Sequence, residues 1–127
     1  MASYFTKSKF VHELSPTDFD DVATWKLKGY RDCALVLFYA NWCGHCKAMK
    51  EEYEKYAKRA IFMDVLAFDC GAHTNHLRKI QNDMPEMIRG FPTLIFYKDG
   101  QPAEQYGGDD RSVGSLIAES MRVCKST

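Results

Sequence analysis

An unbroken apolar run, Cys33 to Tyr39, is followed closely by Cys43-Gly44-His45-Cys46, and that tetrapeptide opens a long amphipathic stretch. The run is continuously apolar, includes a β-branched and two aromatic residues, and is too short for a free helix, so it reads as a strand covered on both faces. Beyond it the period changes. Cys46, Met49, Tyr53, Tyr56, Ala57 and Ala60 mark one helical face, while Lys47, Lys50, Glu51, Glu54, Lys55 and Lys58 fill the other. Any fold of this chain must therefore place two thiols where a buried strand turns into a helix.

That setting gives the two sulfurs different chemistry. They lie one helical turn apart, close enough to form or release a small-ring disulfide. Unpaired N–H groups and the positive end of the helix dipole favour Cys43 as thiolate, the species that attacks a disulfide. Cys46, on the apolar face, is expected to be the less exposed, resolving thiol. His45 between them is placed to donate to the Cys43 thiolate, which stabilises the dithiol and makes the disulfide a better oxidant.

Around this junction the chain reads as strand and helix in alternation, ending in a hairpin. Phe10 to Leu14 forms a first strand. Ser15-Pro16-Thr17 caps a first helix carrying Phe19, Val22 and Ala23 as far as Lys28, and Gly29 ends it. Phe62 to Phe68 is a second buried strand, and Thr74 to Asn82 a short helix. Thr93 to Tyr97 and Ala103 to Tyr106 pair through the turn Lys98-Asp99-Gly100-Gln101. Val113, Leu116, Ile117, Ser120 and Met121 give a last helix. The order βαβαβαββα implies a mixed sheet with helices on both faces.

With 127 residues the chain fits one domain, expected over residues 9–124 with an extension at 1–8 and a tail at 125–127. Seventeen basic residues balance seventeen acidic ones, which argues against nucleic acid or an anionic membrane as partner. No apolar run approaches the roughly 20 residues of a membrane span. The first residues lack a secretory apolar stretch and the last four are no retention tetrapeptide, so the expected compartment is the cytoplasm, or an oxidising lumen for a trimmed chain.

Three segments together carry a resemblance. Phe38-Tyr39-Ala40-Asn41-Trp42-Cys43-Gly44-His45-Cys46-Lys47 resembles the active-site segment of a catalytic domain of the protein disulfide isomerase family. Gly90-Phe91-Pro92-Thr93 is similar to that family's cis-proline loop, and Tyr106-Gly107-Gly108 followed by Arg111 to its last strand and following arginine. The similarity runs over about residues 9–123 and implies a thioredoxin fold: an α/β architecture with a central mixed sheet flanked by helices. It further implies that Pro92 is cis and lies against Cys43, that Phe91 offers backbone groups to an extended substrate, and that Trp42 is a flat apolar contact. Arg111 is expected to swing toward Cys46 and lower its pKa. The activity implied is thiol–disulfide exchange with cysteines of protein substrates, without a bound cofactor. Glutathione or a partner protein would reset the pair. Reference potentials of thioredoxin and protein disulfide isomerase differ by roughly 90 mV, about 4 kcal/mol for two electrons, and His45 points toward the oxidising or isomerising side.

Two departures bear on rate. The resemblance implies a buried acid six positions before the first cysteine and a lysine on the next strand, where this chain has Leu37 and Ala67. Losing both partners together need not harm the fold. The expected consequence is slower proton transfer from Cys46 and slower release of mixed disulfides. Asn41 also stands where the family usually has proline, so the loop before Trp42 is less rigid.

Rival readings are a thioredoxin-like reductase and a chaperone or binding module that uses the Pro92 edge with little turnover. Zinc is disfavoured at Cys43 and Cys46 because no second pair is present. Cys70, His73 and His76 have no obvious fourth ligand, and His12 reads as structural. Cys33, Cys70 and Cys124 read as ordinary small residues, with Cys124 the candidate for an intermolecular bridge, since the count of five is odd.

Overall fold

In a computed structural model that describes residues 3–30 and 32–125, the chain forms one five-stranded sheet. Its strands are β1 (His12–Glu13), β2 (Cys33–Tyr39), β3 (Asp64–Asp69), β4 (Thr93–Lys98) and β5 (Gln101–Gln105). The spatial order is β1-β3-β2-β4-β5. β1, β3 and β2 run parallel, whereas β4 and β5 run antiparallel to their neighbours. Three helices accompany them: α1 (Gly44–Arg59), α2 (Thr74–Asp83) and α3 (Val113–Lys125). This is a thioredoxin fold.

Alternation along β2 sorts the core into two layers. Cys33, Leu35, Leu37 and Tyr39 point into one cluster with Met49, Tyr53 and Tyr56 of α1 and Leu116 and Val123 of α3. Ala34, Val36 and Phe38 point into the other, with Ile80 of α2, Phe19 and Phe68. Every β2 residue is buried, as a strand covered on both sides requires. The polar faces of α1 and α3 remain in water. Two buried hydrogen bonds lock this layer: Tyr53 donates to the Leu66 carbonyl at 2.7 Å, and the Tyr56 and Ser120 hydroxyls lie 2.6 Å apart.

The expected first helix does not form. Pro16–Asp18 makes a single 3-10 turn, and the chain then folds back so that Phe19 bridges Leu27. Asp20 explains the difference. Its carboxylate accepts the N–H groups of Val22 and Ala23, both at 2.9 Å, which gives the backbone a local alternative to helical bonds. Val22, assigned to an apolar face by its spacing, is 87% exposed. Elsewhere the elements fall where expected with shifted ends: β1 is shorter, β3 begins at Asp64, β5 begins at Gln101, and α3 runs on to Lys125.

The cysteine reading is also corrected. Cys33 and Cys124 form an intrachain disulfide, with Cα atoms 5.6 Å apart and a sequence separation of 91. α3 returns along the sheet, so its last turn meets the first residue of β2. Cys124 is thereby committed within the chain rather than left for an intermolecular bridge.

Candidate active site

Cys43 is the N-cap of α1, with extended backbone angles. Its sulfur accepts the N–H of Cys46 at 3.2 Å, so one of the helix's unpaired donors is aimed at it. The Cys43 N–H itself donates to the Ala40 carbonyl at 3.1 Å and closes the turn Ala40-Asn41-Trp42-Cys43. Cys43 is half-buried, Gly44 and His45 are exposed, and Cys46 is fully buried. Both thiols are free. Burial pushes the Cys46 thiol up to about 12, its hydrogen bond with Cys43 adds to this, and the Arg111 charge acts in the opposite direction.

The other expected site residues converge on the same end of the sheet. Trp42 is 69% exposed, a flat apolar surface beside the sulfurs. Its ring crosses Gly71, where an added Cβ would stand 2.6 Å from a ring carbon. The Phe91–Pro92 peptide is cis, as the resemblance implied, and Phe91 packs against both core layers. Arg111 is half-buried ahead of α3, and its charge reaches Cys46.

Cys70, His73 and His76 have packing partners. His76 Nε2 lies 2.9 Å from the Thr24 carbonyl, His73 stacks on Phe68, and Cys70 is buried. Among the described residues no group of three His, Cys, Asp or Glu side chains could hold a metal ion. No described helix is long and apolar enough to cross a membrane.

Two residues at this end, Glu13 and Tyr4, carry no signal that the sequence motifs register. Glu13 stands opposite Ala67, which in turn stands opposite Leu37, so β1 brings a carboxylate into the row where the expected acid and lysine are absent. That carboxylate accepts the Tyr39 hydroxyl and, at 3.0 Å, the Phe5 N–H. Tyr4 stacks on Tyr39 with ring centroids 4.7 Å apart. Strand parity was the available signal for Glu13, because it shares a face with buried Val11.

The thioredoxin family model matches residues 10–120. The chain is 39% identical over 119 residues to a probable protein disulfide-isomerase A6 of Medicago sativa, covering 89% of this chain and 29% of that protein. It is 38% identical over 89 residues to a probable protein disulfide-isomerase A4 of Caenorhabditis elegans, covering 70% of this chain and 13% of the relative. The chain thus spans less than a third of the length of either relative. Among solved structures, the J-Trx1 fragment of ERdj5 superposes with a TM-score of 0.74 at 24% identity, covering 97% of this chain and 56% of that one, a likeness of fold.

Proposed function

The chain belongs to the thioredoxin family, and from that premise we propose that it is a thiol–disulfide oxidoreductase of the disulfide isomerase type acting on cysteines in polypeptides. The observation that carries this reading is the hydrogen bond from the Cys46 N–H to the Cys43 sulfur at the mouth of α1, with Cys46 buried one turn behind. The Cys43 thiolate attacks a substrate disulfide, and one substrate sulfur leaves as thiolate and takes a proton from water. Cys46 then gives up its proton and attacks the Cys43 sulfur. The second substrate thiolate leaves, the substrate gains two electrons, and Cys43–Cys46 becomes the disulfide. The reverse sequence oxidises a dithiol substrate. Isomerisation follows when the first released substrate thiol attacks another disulfide before Cys46 resolves the complex.

His45 sets the balance between these directions, and Arg111 assists deprotonation of Cys46. Trp42, Phe91 and Pro92 form the docking surface. Glutathione or a partner protein returns the pair to its starting state. Refolding of a scrambled disulfide protein and reduction of insulin, each with the native chain and with Cys43→Ala, test the reading. Both activities should fall by at least about a hundredfold in the variant. Equal effects with and without Cys43 would instead make the chain a binding module. Equilibration with glutathione sets the direction: a potential near roughly −270 mV would make it a reductase.

A further inference from the structure

Residues 3–8 cross the end of the sheet that carries the two thiols. They are fastened there at several points. Ser3 Oγ donates to the Asp69 carboxylate at 2.8 Å, the Tyr4 N–H to the Tyr39 hydroxyl oxygen at 2.9 Å, and the Phe5 N–H to Glu13 at 3.0 Å. Phe5 is 1% exposed and lies edge-on to Tyr39 and Tyr53. The Tyr4 ring stacks on Tyr39, with the Lys50 ammonium 5.3 Å from its centroid. A segment held this way is ordered by packing and by donors that would otherwise face water.

Tyr4 also touches the loop that leads into Cys43. Its hydroxyl donates to the Asn41 carbonyl at 3.2 Å. Asn41 is the second residue of the turn closed by the Cys43 N–H on the Ala40 carbonyl. Proline at that position would fix φ, but asparagine leaves it free, so the turn's rigidity must come from outside. The phenol is close enough to feel the reacting sulfurs: burial raises its pKa, and charge on Cys46 and Cys43 raises it further.

We propose that residues 3–8 are a strap belonging to the redox centre, in which Tyr4 is a positioning residue that holds the Asn41-Trp42-Cys43 turn in register with α1. The strap precedes residues 10–120, the range that the family model matches. The inference rests on the oxidoreductase reading of Cys43 and Cys46 and deepens it.

Tyr4→Phe removes the bond to Asn41 and keeps the stacked ring, Tyr4→Ala removes both, and each is to be made alone and combined with Asn41→Pro in the full chain. The readouts are the pH profile of Cys43 alkylation in the reduced protein, kcat/KM for a peptide disulfide, and the melting temperature. Tyr4→Phe should lower kcat/KM about three- to tenfold, the effect of one hydrogen bond, with little change in melting temperature. It should also displace the alkylation profile, and Asn41→Pro should restore both. Wild-type alkylation and kcat/KM in both Tyr4 variants would overturn the proposal. So would losses that merely follow melting temperature and are not rescued by Asn41→Pro. If the native chain shows no disulfide turnover, the oxidoreductase reading fails, while the alkylation profile still decides whether Tyr4 positions Cys43.

Discussion

Glu13 shows how one side chain can carry a pH dependence for the whole fold. It lies on the inward face of β1, among Tyr39, Tyr53 and Asp69, and burial pushes its carboxyl up to about 7 from an ordinary 4.5. Hydrogen bonds from Tyr39 and Phe5 hold that rise back, and the Asp69 charge adds to it. A carboxyl that binds its proton more tightly when folded stabilises the fold fully below the unfolded pKa, and that contribution is lost as pH rises through the folded one. The window here runs from about 4.5 to about 7. Its size is on the order of 1–3 kcal/mol, after allowance for the part of Glu13 that water reaches. Glu13→Gln keeps an acceptor for the Tyr39 hydroxyl and the Phe5 N–H but cannot ionise. Urea midpoints of the native chain should decline across that window relative to those of Glu13→Gln, whose remaining dependence includes the opposite contribution of buried His76. Two curves of equal slope would assign the dependence to another group.

At the scale of elements, the β4–β5 turn was readable because its signal is local. Asp99 and Gly100 adopt φ of 53° and 80°, the two left-handed residues that an Asp-Gly hairpin turn requires. Gly100 also has a tertiary duty. A Cβ there would stand 2.7 Å from the Leu27 carbonyl oxygen, and the Leu27 N–H donates to the Gly100 carbonyl at 2.9 Å. Gly100→Ala should therefore destabilise by about 2–3 kcal/mol in chemical denaturation, from the left-handed backbone and the backbone contact together. Gly114→Ala, in α3 with open space at its Cβ, should be neutral or stabilising by up to about 1 kcal/mol. Equal effects at both sites would refute the account of Gly100. β2 and α1 were legible for a related reason, since a long buried run and a sustained helical period each outweigh local competition. Residues 16–28 have neither. Their fold-back depends on the Asp20 carboxylate and on Leu27 meeting a turn more than seventy residues later, which a helical window cannot register.

Across the whole molecule, the Cys33–Cys124 bridge was hidden because its partners meet only after the sheet has formed and α3 has returned along it. Cys43 and Cys46 were visible because they stand three positions apart in one short motif, whereas this pair is 91 residues apart. Closing so long a loop restricts the unfolded chain, and in the loop-entropy account the bridge stabilises the fold by about 2–4 kcal/mol. It also lies away from the chemistry. Cys33 begins β2 and Cys43 follows its end, so the strand separates them by roughly 20 Å. Cys33→Ala with Cys124→Ala should thus lower stability by that amount in non-reducing denaturation, with kcat/KM on a peptide disulfide held at the native level. Peptide mapping of the unreduced native chain should recover the two cysteines as one linked fragment. A variant with native stability would remove the bridge from the account of the fold. One with native stability but lost turnover would instead tie this far end of β2 to the exchange reaction at Cys43.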